Sequence, residues 1–415
     1  MSDSSFTCDD ISTAVEALSD EGLQWLQDLI AFETVQGNEA EAQAYMKDLL
    51  TDLGFEPEYR EIPDTIFDDP EYSHGESEQS YEGRHNLVTN WGADEGRSVI
   101  AQAHIDVVPG GDWDDAFNPS FDGEFVHGRG AMDDKGQIVM KVMAMKALKD
   151  IGFEPKGRIE SQIVIEEEVG GNGALALIRQ GCDADGVIVF EGTTFDVFPA
   201  NRGAIWFELT TTGKSLHMGR RHEGVNAIEK MMEAIDRILD YEEELIESSR
   251  NYPLFERYEA PVQVCLGKIR GGDWPSMVCG ECTLEGGVGF LPNKNMDQIK
   301  DELQAAIESS DDEWLKEHYE LTYPKLHNDA YEIDPDHPIV QTMHGAALDC
   351  DLDSEVYGWN VSCDDRLYNK LAGLPTIVFG VDDIAAAHGP DEKVKWSEVV
   401  KGAKAVALAL ARWTE

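Results

Sequence analysis

The sequence predicts an α/β layer sandwich with a smaller ferredoxin-like α+β domain inserted into it. Short apolar runs of strand length alternate with helical stretches over most of the chain, which favours a sheet covered by helices. After residue 200 the order changes to β-α-β-β-α-β, which is typical of the ferredoxin-like unit. A chain of 415 residues with 42% hydrophobic residues is long enough for two domains. We therefore predict a larger domain over residues 1–200 and 326–415 and an inserted domain over residues 201–325.

The larger domain is predicted to begin with two helices. Residues 20–53 carry apolar side chains at helical spacing, with a break at Gly37. Residues 64–83 are polar and rich in Asp, Glu, Ser and Tyr, and we interpret them as a surface excursion. The strands that follow are predicted over residues 86–90, 98–103, 158–165, 186–190 and 375–379, and the helices between them over residues 136–148 and 173–180.

The inserted domain is predicted from a change in pattern. Residues 204–212 alternate as a strand does, and residues 225–249 form a long amphipathic helix. The remaining elements are two strands over residues 262–269 and 281–290, a helix over residues 296–308 and a strand over residues 318–323.

The charge balance indicates adaptation to salt. The chain has 82 acidic and 33 basic residues, a formal net charge of -49 that is spread over its whole length. Such self-repulsion is severe in dilute buffer, whereas at molar salt the Debye length falls to about 3 Å. We therefore infer a salt-accumulating cytoplasm, as in halophilic archaea. Nucleic acid and anionic membranes are excluded as partners, since the same field would repel both.

The cysteines and the apolar segments favour a cytoplasmic protein. Seven cysteines are an odd number, and their sparse spread does not resemble a disulfide framework. Cys279 and Cys282 form a CxxC pair, but no second pair of metal-ligating residues stands nearby, so we interpret them as ordinary thiols. No apolar run approaches the roughly 20 residues of a membrane helix, and the N-terminus lacks the pattern of a secretory signal.

Residue types that bind metals follow one predicted strand after another. The first α/β strand leads into His104 and Asp106, the next into a run of three glutamates from Glu166, and a third into Glu191. In open α/β sheets the ligand crevice lies outside the carboxyl ends of the strands. Each signal is weak alone, because an HxD is more often a capped turn and an acidic run a solvated face. Their recurrence in order predicts a site for zinc or a similar divalent ion.

The set of motifs resembles a known metallopeptidase family. That family contains acetylornithine deacetylase, succinyl-diaminopimelate desuccinylase, aminoacylase and glutamate carboxypeptidase. The resemblance rests on His104-Ile105-Asp106-Val107-Val108-Pro109, GRGAMDDKG at residues 128–136, EEEVGG at residues 166–171, Glu191 and His388. It covers almost the whole chain in the family's order. It implies a three-layer zinc-peptidase-like catalytic domain and an inserted domain that acts as a lid and dimerisation domain.

The resemblance also implies the role of each site residue. The ligands of two divalent ions, zinc with cobalt or manganese as alternatives in the same kind of site, would be His104, Asp133, Glu168, Glu191 and His388. Asp133 would bridge the two ions, and the peptide bond after it would be cis. Asp106 would fix the imidazole tautomer of His104. Glu167 would be the general base that acts on a metal-activated water.

Two further residues are implied as substrate contacts. His217, in the segment GKSLHM, would stabilise the oxyanion, often across a dimer interface; the alternative is a surface histidine. Arg366 would bind a substrate carboxylate, and an internal salt bridge is the alternative.

The predicted function is removal of the acyl group from an N-acyl amino acid. The segment GVGFLP at residues 287–292 resembles the acetylornithine deacetylase branch, which favours this reaction. A dipeptidase or carboxypeptidase with the same ions is the nearest alternative, and a non-catalytic binding protein on the same scaffold is a third. The expected partners are a small N-acyl amino acid or short peptide and a second copy of the chain.

Overall fold

The computed structural model describes residues 7–74, 80–324 and 327–415. Its helices are α1 (Cys8–Ala17), α2 (Ser19–Ile30), α3 (Ala40–Asp52), α4 (Lys135–Asp150), α5 (Asn172–Arg179), α6 (Ala227–Ser248), α7 (Met296–Glu308), α8 (Glu313–Glu317), α9 (Pro338–Asp349), α10 (Asp365–Ala372) and α11 (Trp396–Thr414). Among the helices so described, none combines the length and apolar composition that crossing a bilayer requires.

The strands are short, as the sequence predicts. They are β1 (Pro57–Glu61), β2 (His85–Gly92), β3 (Val99–His104), β4 (Ser120–Phe121), β5 (Phe125–His127), β6 (Arg158–Val164), β7 (Val187–Phe190), β8 (Val197–Asn201), β9 (Gly203–Thr212), β10 (Gln263–Gly271), β11 (Glu281–Phe290), β12 (Tyr319–Thr322), β13 (His327–Asn328), β14 (Tyr331–Glu332), β15 (Val356–Trp359), β16 (Thr376–Phe379) and β17 (Lys393–Lys395).

The chain divides into two compact units. The larger unit comprises Met1–Pro199, Ile333–Tyr357 and Cys363–Glu415, and the smaller one comprises Ala200–Glu332 and Gly358–Ser362. The sequence-based bounds of the inserted domain were 201–325. The smaller unit extends beyond them to Glu332 and includes a second short segment that sequence reasoning did not identify.

The larger unit is built on a mixed sheet with the strand order β1-β2-β6-β3-β7-β16-β8. Strands β6, β3, β7 and β16 run parallel to one another, whereas β1, β2 and β8 pair antiparallel with their neighbours. Every residue of β3, β7 and β16 is buried. That burial explains why these strands appear in the sequence as short apolar runs.

Helices cover this sheet in layers. Helices α4 and α11 pack on each other and both contact β3, while α10 packs on α5 and contacts β7 and β16. Gln102 of β3 donates to Asp364, which immediately precedes α10, and Tyr368 of α10 donates to Gln162 of β6. Helix α10 therefore covers the face of the sheet that carries these two glutamines. The predicted α/β layer sandwich is confirmed.

The smaller unit has the predicted β-α-β-β-α-β order, formed by β9, α6, β10, β11, α7 and β12. Its antiparallel sheet has the order β10-β11-β9-β12, with the short strand β13 also paired to β9. Helices α6 and α7 pack on each other, and their buried residues share one hydrophobic core with the sheet. Because the interior side of α6 carries residues such as Met231, Ile238 and Leu245 at helical spacing, the sequence pattern identified it.

Two predictions about the larger unit are wrong. Residues 64–83 are not simply a surface excursion, because Ile66, Tyr72 and Tyr81 are buried; residues 75–79 lie outside the described part. The sparse spread of the cysteines predicts no disulfide framework, but Cys8 and Cys350 form a disulfide between the start of α1 and the end of α9. Composition could not reveal this pair, because its members are 342 residues apart in sequence.

Candidate active site

Five segments of the larger unit bring the predicted site residues to one edge of the sheet. Strand β3 ends at His104, and β6 and β7 lead directly into the glutamates that follow them. Because these strands are parallel, their carboxyl ends lie side by side. Asp133 lies just before α4, and His388 follows β16 in a longer connection.

The six predicted ligand and base residues form two groups of three. Within each group the potential ligand atoms lie within 4.8 Å of one another; the groups are His104, Glu167 and Glu191, and Asp133, Glu168 and His388. Asp133 faces both groups, because its Oδ1 lies 3.0 Å from Nε2 of His104 and its Oδ2 lies 3.2 Å from Nε2 of His388. This is the position that a bridging carboxylate would occupy.

The donor set fits two divalent cations. Imidazole and carboxylate are the ligand types that zinc and similar ions take in catalytic sites. Four carboxylates would balance the charge of two divalent ions, which offsets much of the cost of burying them. Oε1 of Glu168 is buried and has no hydrogen-bond partner among the described residues. An acceptor in that position needs a proton or a cation.

The groups of the site shift one another's pKa. Burial raises the pKa of Glu167 well above its usual range, and repulsion from Asp364 and Glu168 raises it further against the attraction of His104. Hydrogen bonds to Asp133 and Glu168 raise the pKa of the His388 imidazole to about 10. A buried glutamate whose charged form is disfavoured takes up a proton readily, which suits a general base.

Asp106 contacts both His104 and the glutamate turn. Its side-chain oxygens accept hydrogen bonds from the backbone N–H groups of Glu167 and Glu168, each at 3.1 Å. Nδ1 of His104 lies 2.9 Å from the main-chain oxygen of Asp106 and 3.5 Å from its carboxylate. The nearer partner of the imidazole is therefore the carbonyl, while the carboxylate also accepts from the glutamate turn; its expected role in fixing the tautomer stays a prediction.

Two carboxylates that the sequence analysis did not single out hold the backbone of metal-ligand candidates. Asp134 is fully buried and its Oδ2 accepts from the backbone N–H of His104 at 2.9 Å. Oε1 of Glu392 accepts from the N–H groups of Met132 and Asp133, each at 3.1 Å, while its Oε2 accepts from Arg129 at 2.7 Å. The Asp133–Asp134 peptide bond is cis, as the resemblance implies.

Arg366 lies in the same unit as the metal-ligand candidates and is only 5% exposed. Its Nη2 donates to the main-chain oxygen of Gly170, the second residue after Glu168, at 3.2 Å. Its buried Nε has no hydrogen-bond partner, and its guanidinium makes no ion pair within 4.0 Å, among the residues the structure describes. Its charge nevertheless interacts with the neighbouring Asp364 and Asp365, so the substrate contact and the internal ion pair both stay predictions.

His217 lies in the smaller unit, in the turn between β9 and α6. Its side chain is exposed, and its Nδ1 accepts from the backbone N–H of Gly219 at 3.2 Å. Its backbone forms an isolated bridge with Met277. The smaller unit thus presents this imidazole at its surface, and its role stays a prediction.

The remaining predicted pair, the CxxC, carries no metal-site geometry. Cys279 and Cys282 are both buried and unbonded to each other, and the Sγ of Cys279 donates to the main-chain oxygen of Glu281 at 3.0 Å. Among the described residues neither cysteine belongs to a group that could hold a metal ion, and their interpretation as ordinary thiols stays a prediction.

Comparison with known proteins agrees with this geometry. The chain is 28% identical over 342 residues to N-formyl-4-amino-5-aminomethyl-2-methylpyrimidine deformylase of Bacillus subtilis, covering 76% of this chain and 79% of that protein. It is 26% identical over 346 residues to acetylornithine deacetylase of Vibrio cholerae, covering 81% and 86% of the two chains.

A solved structure shares the fold over nearly the whole length. Aminopeptidase PepT from Bacillus cereus superposes with a TM-score of 0.74 at 22% identity, covering 96% of this chain and 99% of that one. Residues 100–412 match the sequence profile of the peptidase family M20/M25/M40, and this range includes every residue of the two groups of three. The chain therefore belongs to the peptidase family M20/M25/M40, whose members are hydrolases of amide bonds that bind divalent metals.

Proposed function

We propose that this enzyme removes the acyl group from N-acyl amino acids, with two zinc ions held by His104, Asp133, Glu168, Glu191 and His388. The observation that carries the proposal is the position of Asp133, whose two oxygens face the two histidines of the separate groups. The relatives most similar in sequence include a deformylase and a deacetylase, which favours an acyl group of small size. The alternative is a dipeptidase or carboxypeptidase that uses the same residues.

The chain's own side chains account for the movement of protons. Divalent ions bound by the two groups would lower the pKa of water and polarise the amide carbonyl. Glu167 accepts the proton of the attacking water as the new C–O bond forms, and delivers it to the nitrogen as the C–N bond breaks. The products are a carboxylic acid and a free amine, so that no other reactant is needed.

Substrate binding is assigned to two residues. Arg366 is proposed to bind the α-carboxylate of the amino acid, since its guanidinium is held at Gly170 and keeps Nε unpaired. His217 is proposed to stabilise the oxyanion from the inserted unit. The Arg366 assignment predicts that an N-acyl amine without a carboxylate is a poor substrate.

The inserted unit is also proposed to form the homodimer. Strand β10 lies at the edge of its sheet, and in the described chain only β11 pairs with it. Helix α6 exposes a row of apolar side chains, namely Ile228, Met232, Leu239 and Ile246. An open strand edge beside exposed apolar side chains is a typical surface for association. Met232→Glu should yield a monomer in size-exclusion chromatography at high salt, while Leu348→Glu, a similarly exposed position in the larger unit, should not.

The test of the reaction uses purified protein in molar KCl with zinc. N-acetyl amino acids and dipeptides are compared as substrates, and turnover of dipeptides alone would contradict the deacylase assignment. Glu167→Gln should lower kcat by roughly 10²- to 10⁴-fold, the usual contribution of a general base, while two metal ions per chain remain.

The metal content of this variant separates two roles, because Glu167 also lies within ligand distance of His104 and Glu191. Loss of one ion from Glu167→Gln would make it a ligand instead of the base. The control is Glu160→Gln, a partly buried glutamate on β6 that belongs to neither group, which should keep both activity and metal.

A further inference from the structure

The residue before the proposed base is surrounded by hydrogen-bond donors. Glu166 is fully buried, and its Oε1 accepts from Nη2 of Arg84 at 2.7 Å and from Nε2 of Gln36 at 3.3 Å. Its Oε2 accepts from the hydroxyl of Tyr81 at 2.6 Å and from Nδ2 of Asn172 at 2.9 Å. Four donors from three stretches of chain therefore satisfy one carboxylate, which belongs to neither of the two ligand groups.

The backbone of Glu166 is held as tightly as its side chain. Its φ is +61°, a left-handed conformation that residues other than glycine rarely adopt without support. Its main-chain oxygen accepts from the N–H of Gly171 at 2.9 Å, which closes the turn that contains Glu167 and Glu168. A displacement of the Glu166 side chain would therefore also displace Glu167 and Glu168.

The donors are themselves fixed by buried partners. Arg84 is only 5% exposed and binds Glu39 in a bidentate manner, with Nε to Oε2 at 2.8 Å and Nη2 to Oε1 at 2.6 Å. Glu39 immediately precedes α3, so the contact ties the turn to a helix. The hydroxyl of Tyr81 also lies 3.1 Å from that of Tyr72. Such a satisfied buried network is rigid, because each member restricts the others.

We propose that Glu166, held by Arg84, Tyr81 and Asn172, is a positioning residue that sets the geometry of Glu167 and Glu168. Its carboxylate serves as the acceptor at the base of the turn and touches neither ion nor substrate. The inference rests on the proposed function of Glu167 and Glu168.

The test compares two tyrosines that each donate to a glutamate. Tyr81→Phe removes one of the four donors of Glu166, whereas Tyr241→Phe removes the donor that lies 3.1 Å from Glu302 in the smaller unit. The two side chains are equally buried, at 4% and 5% exposure, which makes the second variant a matched control. Glu166→Gln and Glu166→Asp complete the set, because Gln places a donor against donors while Asp keeps two acceptors.

Two readouts separate positioning from a purely structural role. The first is kcat against KM, and the second is the visible absorption spectrum of the protein loaded with cobalt(II), which reports ligand geometry without any substrate. For Tyr81→Phe we expect kcat to fall roughly tenfold, the rate equivalent of one charge-assisted hydrogen bond, with KM nearly unchanged and the cobalt bands shifted. Glu166→Gln should lose more activity than Glu166→Asp.

A Tyr81→Phe protein with wild-type kcat and cobalt spectrum would overturn the proposal, even if its melting temperature fell. Equal losses in Tyr241→Phe would overturn it as well. If Glu166→Gln does not fold, the comparison of Tyr81→Phe with Tyr241→Phe still tests the positioning role. Wild-type protein that binds no cobalt would contradict the proposed function itself, and the positioning role would fall with it.

Discussion

Replacement of Asp106 by asparagine tests how the glutamate turn is held. In the native protein both side-chain oxygens of Asp106 accept from backbone amides, one from Glu167 and one from Glu168, each at 3.1 Å. Asparagine has the same shape but keeps only one acceptor. Its amide nitrogen would face a backbone N–H, so that one hydrogen bond is lost and two donors oppose each other.

The expected fall in kcat/KM follows from the loss of that one hydrogen bond. A partly buried donor without a partner costs roughly 1–3 kcal/mol. If the turn moves to relieve the conflict, the cost appears in the transition state as a fall of about 5- to 150-fold in kcat/KM. The contact between Nδ1 of His104 and the main-chain oxygen of Asp106, at 2.9 Å, is retained because the backbone is unchanged. Metal content should therefore stay close to that of the wild type.

The assay measures kcat, KM and bound metal for Asp106→Asn beside Asp185→Asn. Asp185 accepts from the backbone N–H of Ser98 at 2.8 Å, but it precedes β7 and so lies at the amino ends of the strands, away from the site. The control should therefore keep its activity. Wild-type kcat/KM in a fully metal-loaded Asp106→Asn protein would refute the reasoning. Loss of metal with unchanged turnover per bound ion would also refute the reasoning, because it would show that Asp106 acts on metal binding by His104 and not on the glutamate turn.

Three further predictions concern the rest of the molecule. Reduction of the Cys8–Cys350 disulfide should lower the free energy of unfolding, typically by about 2–4 kcal/mol and at most by about 6 kcal/mol for so long a loop. Denatured, unreduced protein should show five thiols by titration, and seven would contradict the pairing. Glu392→Gln should weaken zinc affinity in a calorimetric titration and cost roughly 3 kcal/mol of stability, because Arg129 loses its buried partner. Unchanged zinc affinity would show that Glu392 does not hold Asp133 in place for metal binding. Raising KCl from about 0.1 M to above 1 M should raise Tm, since salt screens a net charge of -49. A Tm that is highest in dilute buffer would contradict the inferred salt adaptation.

That the site residues lie close together could be predicted, because the ends of buried strands can be identified from the sequence. Buried parallel strands are short apolar runs, and a polar residue directly after such a run must lie at the carboxyl edge of the sheet. His104 and Glu191 follow this rule, each at or next to the end of a fully buried strand. His388 follows it less directly, because a longer connection separates it from β16. Here the order of motifs along the chain was more informative than local spacing.

The contacts that hold the backbone of the site could not be predicted, because no sequence pattern marks the residues that make them. The hydrogen bond from Tyr81 to Glu166 joins residues 85 positions apart, and Tyr81 comes from a segment whose polar composition indicates a loop. Glu392 follows His388 closely, but in a chain with 82 acidic residues one more glutamate carries no signal. Sequence patterns identify the side chains that face an active site more readily than those that hold its backbone, because the latter show no periodicity.

The supporting residues share a chemical strategy. Asp106, Asp134 and Glu392 each use a carboxylate to accept from the backbone N–H of a ligand or base residue. A carboxylate is the strongest acceptor that a side chain offers for an amide, and it stays in place only where donors or cations offset its charge. These three groups adjoin a site that already contains four acidic residues, and burial raises the pKa of Asp134 and Glu392 above their usual ranges. A bound divalent cation would favour the ionised form of such carboxylates, so we expect metal binding to be linked to the stability of the glutamate turn. On the proposed function, the same carboxylates would both orient the backbone of the site and support metal binding, which would account for so many acids buried in one place.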